Sequence, residues 1–254
     1  MSEQLTVQRA AHWTERWDRQ QERYATGREE RFSVIADVVE EAAADHGDPL
    51  ILDIGCGPGS LAARLAARLP GAEIVGVDED PLLLGLAEAG APDGVRYTRI
   101  RAGAPGWTGL LGLAGRPVDA VVSSTALHYP PEHRLLDLYR DLGLLLRPGG
   151  VLVNADQLPP TDPMVARYAS AVDTRAAHRR GVPRQEDWQT WWAAVARAPE
   201  LAPLLAARER CGLGPGADNG LSLDGHLALL EKAGFRTAGV VWRCGTSCVL
   251  VAVR

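Results

Sequence analysis

Three glycines at alternate positions, Gly55, Gly57 and Gly59, follow an acid, Asp53, near the end of the apolar run Leu50–Ile54. A second acid, Asp78, ends another apolar run 19 residues after Gly59. Glycines spaced this way let a backbone turn sharply and approach a ligand with no Cβ in the way. An acid that closes the next strand can accept the two hydroxyls of a ribose. The chemistry so far is capture of a nucleoside-bearing small molecule. Proton transfer needs a further group, and His128 is the histidine in a predicted cleft loop, residues 124–131. Its ordinary pKa lies near neutrality, so it suits taking a proton from a hydroxyl or amine. His178 and Asp156 are weaker candidates for that task.

The elements that must position these groups follow from the pattern around them. Residues 50–54 are a short apolar run, the glycines are a tight turn, and an Ala/Leu/Arg-rich helix runs to Leu69, where Pro70-Gly71 stops it. The second strand, 73–77, leads into Asp78-Glu79-Asp80-Pro81, where Asp80 caps a helix and Pro81 takes its first position. Strands are expected at 95–100, at 118–123 and, after Arg147-Pro-Gly-Gly150, at 151–155. Ser222 caps a last helix to Lys232, and the apolar segments 235–242 and 247–253 close the chain as a hairpin. Alternating strands and helices make a parallel α/β sheet, which binds its ligand in the crevice at the strands' C-terminal ends. The spacing G-x-G-x-G is not the G-x-G-x-x-G of a dinucleotide site, and no G-K-[ST] follows to make a Walker A loop.

The run Leu52-Asp-Ile-Gly-Cys-Gly-Pro-Gly59 resembles the first motif of class I S-adenosylmethionine-dependent methyltransferases. Three more features are similar to that family in order and spacing: Asp78, the segment from Asp119 to Tyr129 and the turn Arg147–Gly150 with its terminal hairpin. The small-molecule branch, with trans-aconitate and ubiquinone-type enzymes, is the nearest likeness. The resemblance covers roughly residues 48–156 and 222–254. It implies a Rossmann-like, seven-stranded, mostly parallel sheet with a reversed strand in the terminal hairpin. It also implies S-adenosylmethionine as cofactor, released as S-adenosylhomocysteine, held by Asp53, Gly55, Cys56, Gly57, Gly59, Asp78, Glu79, Arg101, Ala102, Ser123 and Ser124. Ser123 and Ser124 would meet the methionine ammonium. The family's acid after the third strand is missing here, so adenine would rest on backbone groups of Arg101 or Ala102. The reaction expected is methyl transfer to oxygen, nitrogen or carbon of a small acceptor held in line with the sulfonium.

Two parts lie outside the resemblance. Residues 1–46 are expected to form an N-terminal helical lid before a methyltransferase domain at 47–254. The stripe Trp13, Trp17, Tyr24 belongs to its first helix and Phe32, Ile35, Val39 to its second, with Gly27 between them and Arg28 or Arg31 near the cofactor carboxylate. Residues 157–220 are expected to be a helical cap insertion, too long for a simple connection. In it Met164, Tyr168 and Val172 share one helical face, and Trp188, Trp191 and Trp192 another. These faces are either the core of a small layer or the acceptor pocket. The pocket reading makes Trp188, Trp191 and Trp192, with His128 and Tyr129, acceptor-binding residues. His128 and Tyr129 are the catalytic candidates, Tyr129 more as a wall than as a base.

Composition narrows the partners. The net charge is −5, so a nucleic-acid partner is not expected, and no apolar run reaches the roughly 18 residues that span a bilayer. Lys232 is the sole lysine and lies on a predicted surface helix, which removes the usual Schiff-base group. The four cysteines have no metal-ligand or disulfide spacing, and residues 1–10 lack an apolar leader core, so a reduced, metal-free cytoplasmic monomer or homodimer is the expectation. Competing readings are other S-adenosylmethionine chemistry, such as cyclisation or decarboxylation, and a non-catalytic partner subunit.

Overall fold

The computed structural model describes residues 5–214 and 216–254; the leader reading of Met1–Gln4 lies outside them. Two helices, α1 (Val7–Gln21) and α2 (Arg28–Ala42), lead into β1 (Leu50–Ile54) and α3 (Ser60–Arg68). Next come β2 (Glu73–Asp78), α4 (Pro81–Ala89), β3 (Val95–Arg99), β4 (Val118–Ser124) and α5 (Glu132–Leu145). After β5 (Leu146–Gln157) the chain makes α6 (Pro163–Arg179), α7 (Trp188–Val195) and α8 (Ala202–Arg210). It ends with α9 (Leu223–Lys232), β6 (Thr237–Cys244) and β7 (Ser247–Val253).

The sheet order is β3-β2-β1-β4-β5-β7-β6. All neighbours up to β5 are parallel; β7 runs antiparallel to both β5 and β6. The expected mostly parallel sheet with one reversed strand is therefore what forms. All five residues of β1 are buried, because helices cover both faces and leave no side of a central strand for water. Ile51 joins Phe32, Ile35 and Val39 of α2 and Leu65 of α3 on one face. Leu50, Leu52 and Ile54 join Leu138 and Leu142 of α5 and Leu229 of α9 on the other. Each such side chain contributes about 1.5–3 kcal/mol by leaving water. Reversal of the strand order between β1 and β4 opens the crevice where an α/β sheet takes its ligand.

Four local expectations change. Tyr24 lies beyond the end of α1 and is half exposed, because the chain turns after Gln21 to reach Gly27. Arg147–Gly150 is not a free turn but the bulged start of β5. Leu146 already pairs with Val118, and the register shifts before Val151 meets Ala120. Met164, Tyr168 and Val172 face solvent, so they form neither a core nor a pocket. A third apolar cluster forms instead where α1, α4, α7 and the short helical turn Pro199–Leu201 meet, around Trp13, Trp17, Leu82, Leu86, Trp191 and Leu201. It fastens the first helix to the insertion. Arg16 adds a two-pronged ion pair with Glu186, its Nε at 3.1 Å and Nη2 at 2.5 Å.

Candidate functional site

A cleft of about 1080 Å3 opens at the C-terminal ends of β1, β2, β4 and β5. The glycine turn forms one wall. Gly55 (φ +69°) and Cys56 both donate their N–H to the Val77 carbonyl, at 2.9 and 3.1 Å, which turns the chain back on β2. A side chain at Gly55 would run into the Ala126 methyl of the loop after β4. Gly57 (φ +54°) differs: nothing stands within 4 Å of where its Cβ would be, so the open space belongs to the cleft. Gly59 (φ +82°) precedes α3 and lies against the Tyr97 hydroxyl, away from the lining residues.

Asp78 locks the turn. Its Oδ2 accepts the Gly57 N–H and its Oδ1 accepts the Asp80 N–H, each at 2.9 Å. Each oxygen keeps a second lone pair for a hydroxyl donor. Burial pushes the Asp78 carboxyl up to about 6, against the pull of those N–H bonds. Asp53 goes further, to about 7, chiefly through burial and then through the charge of Asp78. Its Oδ2 is buried without a partner, as is the Ser124 hydroxyl. Buried polar atoms are rarely left unpaired. Orphans at two points of one wall, beside the open Gly57 cradle and an acid with spare lone pairs, fit a ligand that brings an ammonium and a pair of hydroxyls. S-adenosylmethionine carries both.

Further along the loop after β4, in the same cleft, His128 meets Asp156. Its Nδ1 lies 3.0 Å from Oδ1 and 2.9 Å from Oδ2 of a carboxylate that is 1% exposed. A proton on Nδ1 donated to Asp156 leaves Nε2 bare. Burial works to lower the His128 pKa, but the bond to Asp156 and its charge outweigh that, with Asp218 adding to them, and the net shift is upward. Tyr129 stacks beside His128, ring centroids 4.1 Å apart. Burial and nearby acids push its phenol up, so it stays protonated where His128 titrates. The loop carrying both is pinned by Asn219, whose N–H reaches the His128 carbonyl at 2.7 Å. The Asn219 side-chain amide reaches the carbonyls of Leu127 and Pro130 at 3.1 and 2.9 Å.

Of the predicted residues, Asp53, Gly55, Cys56, Gly57, Asp78, Glu79, Arg101, Ala102 and Ser124 line the cleft together with His128, Tyr129 and Trp188. Arg101 is tied to Glu79 at 2.5 Å. Ser123 does not line it; its hydroxyl is spent on the Ile54 carbonyl at 2.9 Å, bracing β4 on β1. Trp191 and Trp192 do not line it either. Trp191 is fully buried among Trp13, Trp17 and Trp192, and Trp192 lies under the Arg208 guanidinium. Of the two arginines, Arg28 lines the cleft, paired to Asp18, and Arg31 stands behind its wall. Trp17 and Tyr24 of the expected lid stripe line the cleft, but several lining residues carried no sequence signal: Gln21 of α1, and Asp173, Thr174 and Ala177 of α6. Pairing of His128 with Asp156 had one, since β4 and β5 are neighbours and their C-terminal ends must lie side by side.

Comparison with known proteins agrees with this geometry. The sequence model of a methyltransferase domain matches residues 51–150. Over 110 residues the chain is 41% identical to trans-aconitate 2-methyltransferase of Methylobacterium radiotolerans, covering 43% of this chain and 38% of that protein. It is 32% identical over 195 residues to the Azoarcus enzyme of the same name, covering 75% of this chain and 64% of that protein. The matches thus span between about two fifths and two thirds of those relatives' lengths. In fold it is similar to human N-acetylserotonin methyltransferase solved in complex with S-adenosylmethionine, with a TM-score of 0.54 at 15% identity over 87% of this chain and 52% of that one. With the glycine cradle, the strand-end acid and the sheet order in place, residues 51–150 are a methyltransferase domain, and the chain is similar in sequence and fold to S-adenosylmethionine-dependent methyltransferases.

Proposed function

We propose that this chain transfers the methyl group of S-adenosylmethionine to a small-molecule acceptor whose attacking oxygen, nitrogen or carbon carries a proton, and that His128 removes that proton. The observation that carries this reading is the His128–Asp156 pair lining the same cleft as the glycine turn. The cofactor, when bound, supplies an electrophilic methyl group. The chain supplies the rest. Asp78 accepts the ribose hydroxyls, Asp53 and Ser124 accept from the ammonium, Arg28 meets the carboxylate, and backbone groups of Arg101 and Ala102 border the adenine. Asp156 holds the imidazole with Nε2 free, so the base is oriented by a third group. Tyr129 and Trp188 form walls that hold the acceptor in line and exclude water, positioning being the larger part of catalysis in a displacement of this kind.

In this reading residues 1–46 with the insertion 157–220 form a lid, and the loop through Gly216 and Asn219 yields to admit the acceptor. We place the reaction in specialised metabolism, in the cytoplasm, in a monomer or homodimer with no nucleic-acid or membrane partner. Support for a particular small acceptor is that the insertion itself lines the cleft, through Asp173, Thr174, Ala177 and Trp188. In addition, among the described residues no helix is long and apolar enough to cross a membrane. A carboxylate acceptor needs no base. The test is therefore the His128→Gln variant with the natural acceptor: a loss of 10²-fold or more in kcat at unchanged cofactor affinity is expected, from the usual size of base catalysis. Full activity in that variant contradicts the base role.

A further inference from the structure

Arg31 of α2 is fully buried, yet no carboxylate touches it. Its single bond runs from Nε to the Ser247 hydroxyl, at 2.5 Å. Both Nη nitrogens lack a partner and are closed off from solvent. Its neighbour one turn earlier, Arg28, is instead paired to Asp18. Ser247 pairs with Gln157 across β5 and β7, and both line the cleft beside Asp156. The acid whose charge acts most on Arg31 is Asp156, one register step along the strand pair from Ser247, and both oxygens of that carboxylate are turned to His128. A purely structural ion pair would close the gap with two parallel N–H···O bonds. Here the guanidinium stands behind the wall of the dyad and leaves its Nη groups empty.

Two uses of such a cation can be weighed. It can grip an acidic group of a ligand, or it can act through its field. Nη nitrogens shut off from the cleft rule out a direct grip without rearrangement of the wall, whereas the field of a charge reaches across a few ångströms of poorly hydrated interior without contact. We propose that Arg31 is a positioning residue of the His128–Asp156 pair: its buried guanidinium, with no carboxylate of its own, stands behind the pair and opposes a second positive charge on the imidazole ring. The charged and titratable groups that face His128 are Asp156 on β5, Asp218 on the loop after α8, Arg31 on α2 and Tyr129 on its own loop, with His226 of α9 within reach of the same charges. Asp156 and Asp218 favour the protonated ring, and Arg31 opposes it.

This inference rests on the base reading for its consequence but not for its measurement. The experiment is an NMR titration of the His128 ring in the full chain with S-adenosylhomocysteine bound, for the wild type, Arg31→Met and Arg31→Lys, beside the pH dependence of kcat. Arg31→Met is expected to raise the pH at which His128 loses its proton by about one unit, tenfold in the neutral fraction. The acid limb of kcat should move up with it and recover at high pH, and Arg31→Lys should stay near the wild type. If Arg31→Met fails to fold, Arg31→Gln takes its place with the same expected shift. An unmoved His128 titration, or a loss of rate equal at every pH, overturns the proposal. A titration that moves while kcat ignores His128 keeps the proposal and overturns the base reading instead.

Discussion

Replacing Asp78 with alanine removes two acceptors from the cleft and two from the fold. Its oxygens hold the N–H groups of Gly57 and Asp80, and the same oxygens have lone pairs left for two ribose hydroxyls. A hydrogen bond to a charged group contributes about 1.5–3 kcal/mol. Asp78 lies at a half-buried strand end, which favours the lower figure for each bond. Two lost bonds then weaken cofactor binding by about 3 kcal/mol, roughly 10²-fold in Kd. The freed N–H groups border an open cleft and can turn to water, so the fold loses only about 1–2 kcal/mol. Asp78→Asn should fall between, since one acceptor oxygen remains while its NH2 must face one of the two N–H groups. Affinity should also depend on pH. The cofactor hydroxyls donate to the ionised acid, and the Asp78 carboxyl stands at about 6, so binding should weaken as pH falls through 6, approaching tenfold per unit below it. The assay is calorimetry with S-adenosylhomocysteine between pH 5 and 8, with circular dichroism to confirm a folded variant. A folded Asp78→Ala protein that binds with unchanged affinity refutes the ribose assignment.

Three further outcomes follow from contacts in the cleft. Asp156→Asn removes the charge that raises the His128 pKa and leaves an amide oxygen as a weaker acceptor for Nδ1–H; the acid limb of kcat against pH should move down, with at least a tenfold lower plateau, whereas Arg31→Met moves that limb the other way. Gly55→Ala forces a positive φ on a residue with a Cβ and drives that Cβ into Ala126. It should lower stability by at least about 2 kcal/mol, seen as a fall in Tm of several degrees. Asn219→Ala frees the carbonyls of Leu127 and Pro130 from their shared clasp on either side of His128; kcat should drop with Tm nearly unchanged, since the loop is at the surface of the cleft.

Much of this was legible in the order of residues. The run from Leu50 to Asp78 declares itself because its signals are local: an apolar strand, glycines at a turn, an acid at the next strand end. The insertion was not legible, because its helices are decided by partners far away in sequence. Trp188, Trp191 and Trp192 share a helical face, yet Trp188 reaches the cleft while Trp191 fills a core made by α1 and α4. Spacing gives a face and not what lies against it. The stripe Met164, Tyr168, Val172 is the converse, an apolar face turned to solvent. Arg31 had no sequence signal toward the dyad, because the strand it meets, β7, lies more than 200 residues further along the chain.

The most direct test of the account is the fate of the methyl group. The wild type and His128→Gln are incubated with methyl-labelled S-adenosylmethionine and a matched set of acceptors, phenols, amines and carbon acids on one side and polycarboxylates on the other, and the products are weighed by mass spectrometry. The account predicts label on an acceptor that must lose a proton, at a rate that collapses in His128→Gln. Label on a carboxylate oxygen, formed equally well by both proteins, would contradict it.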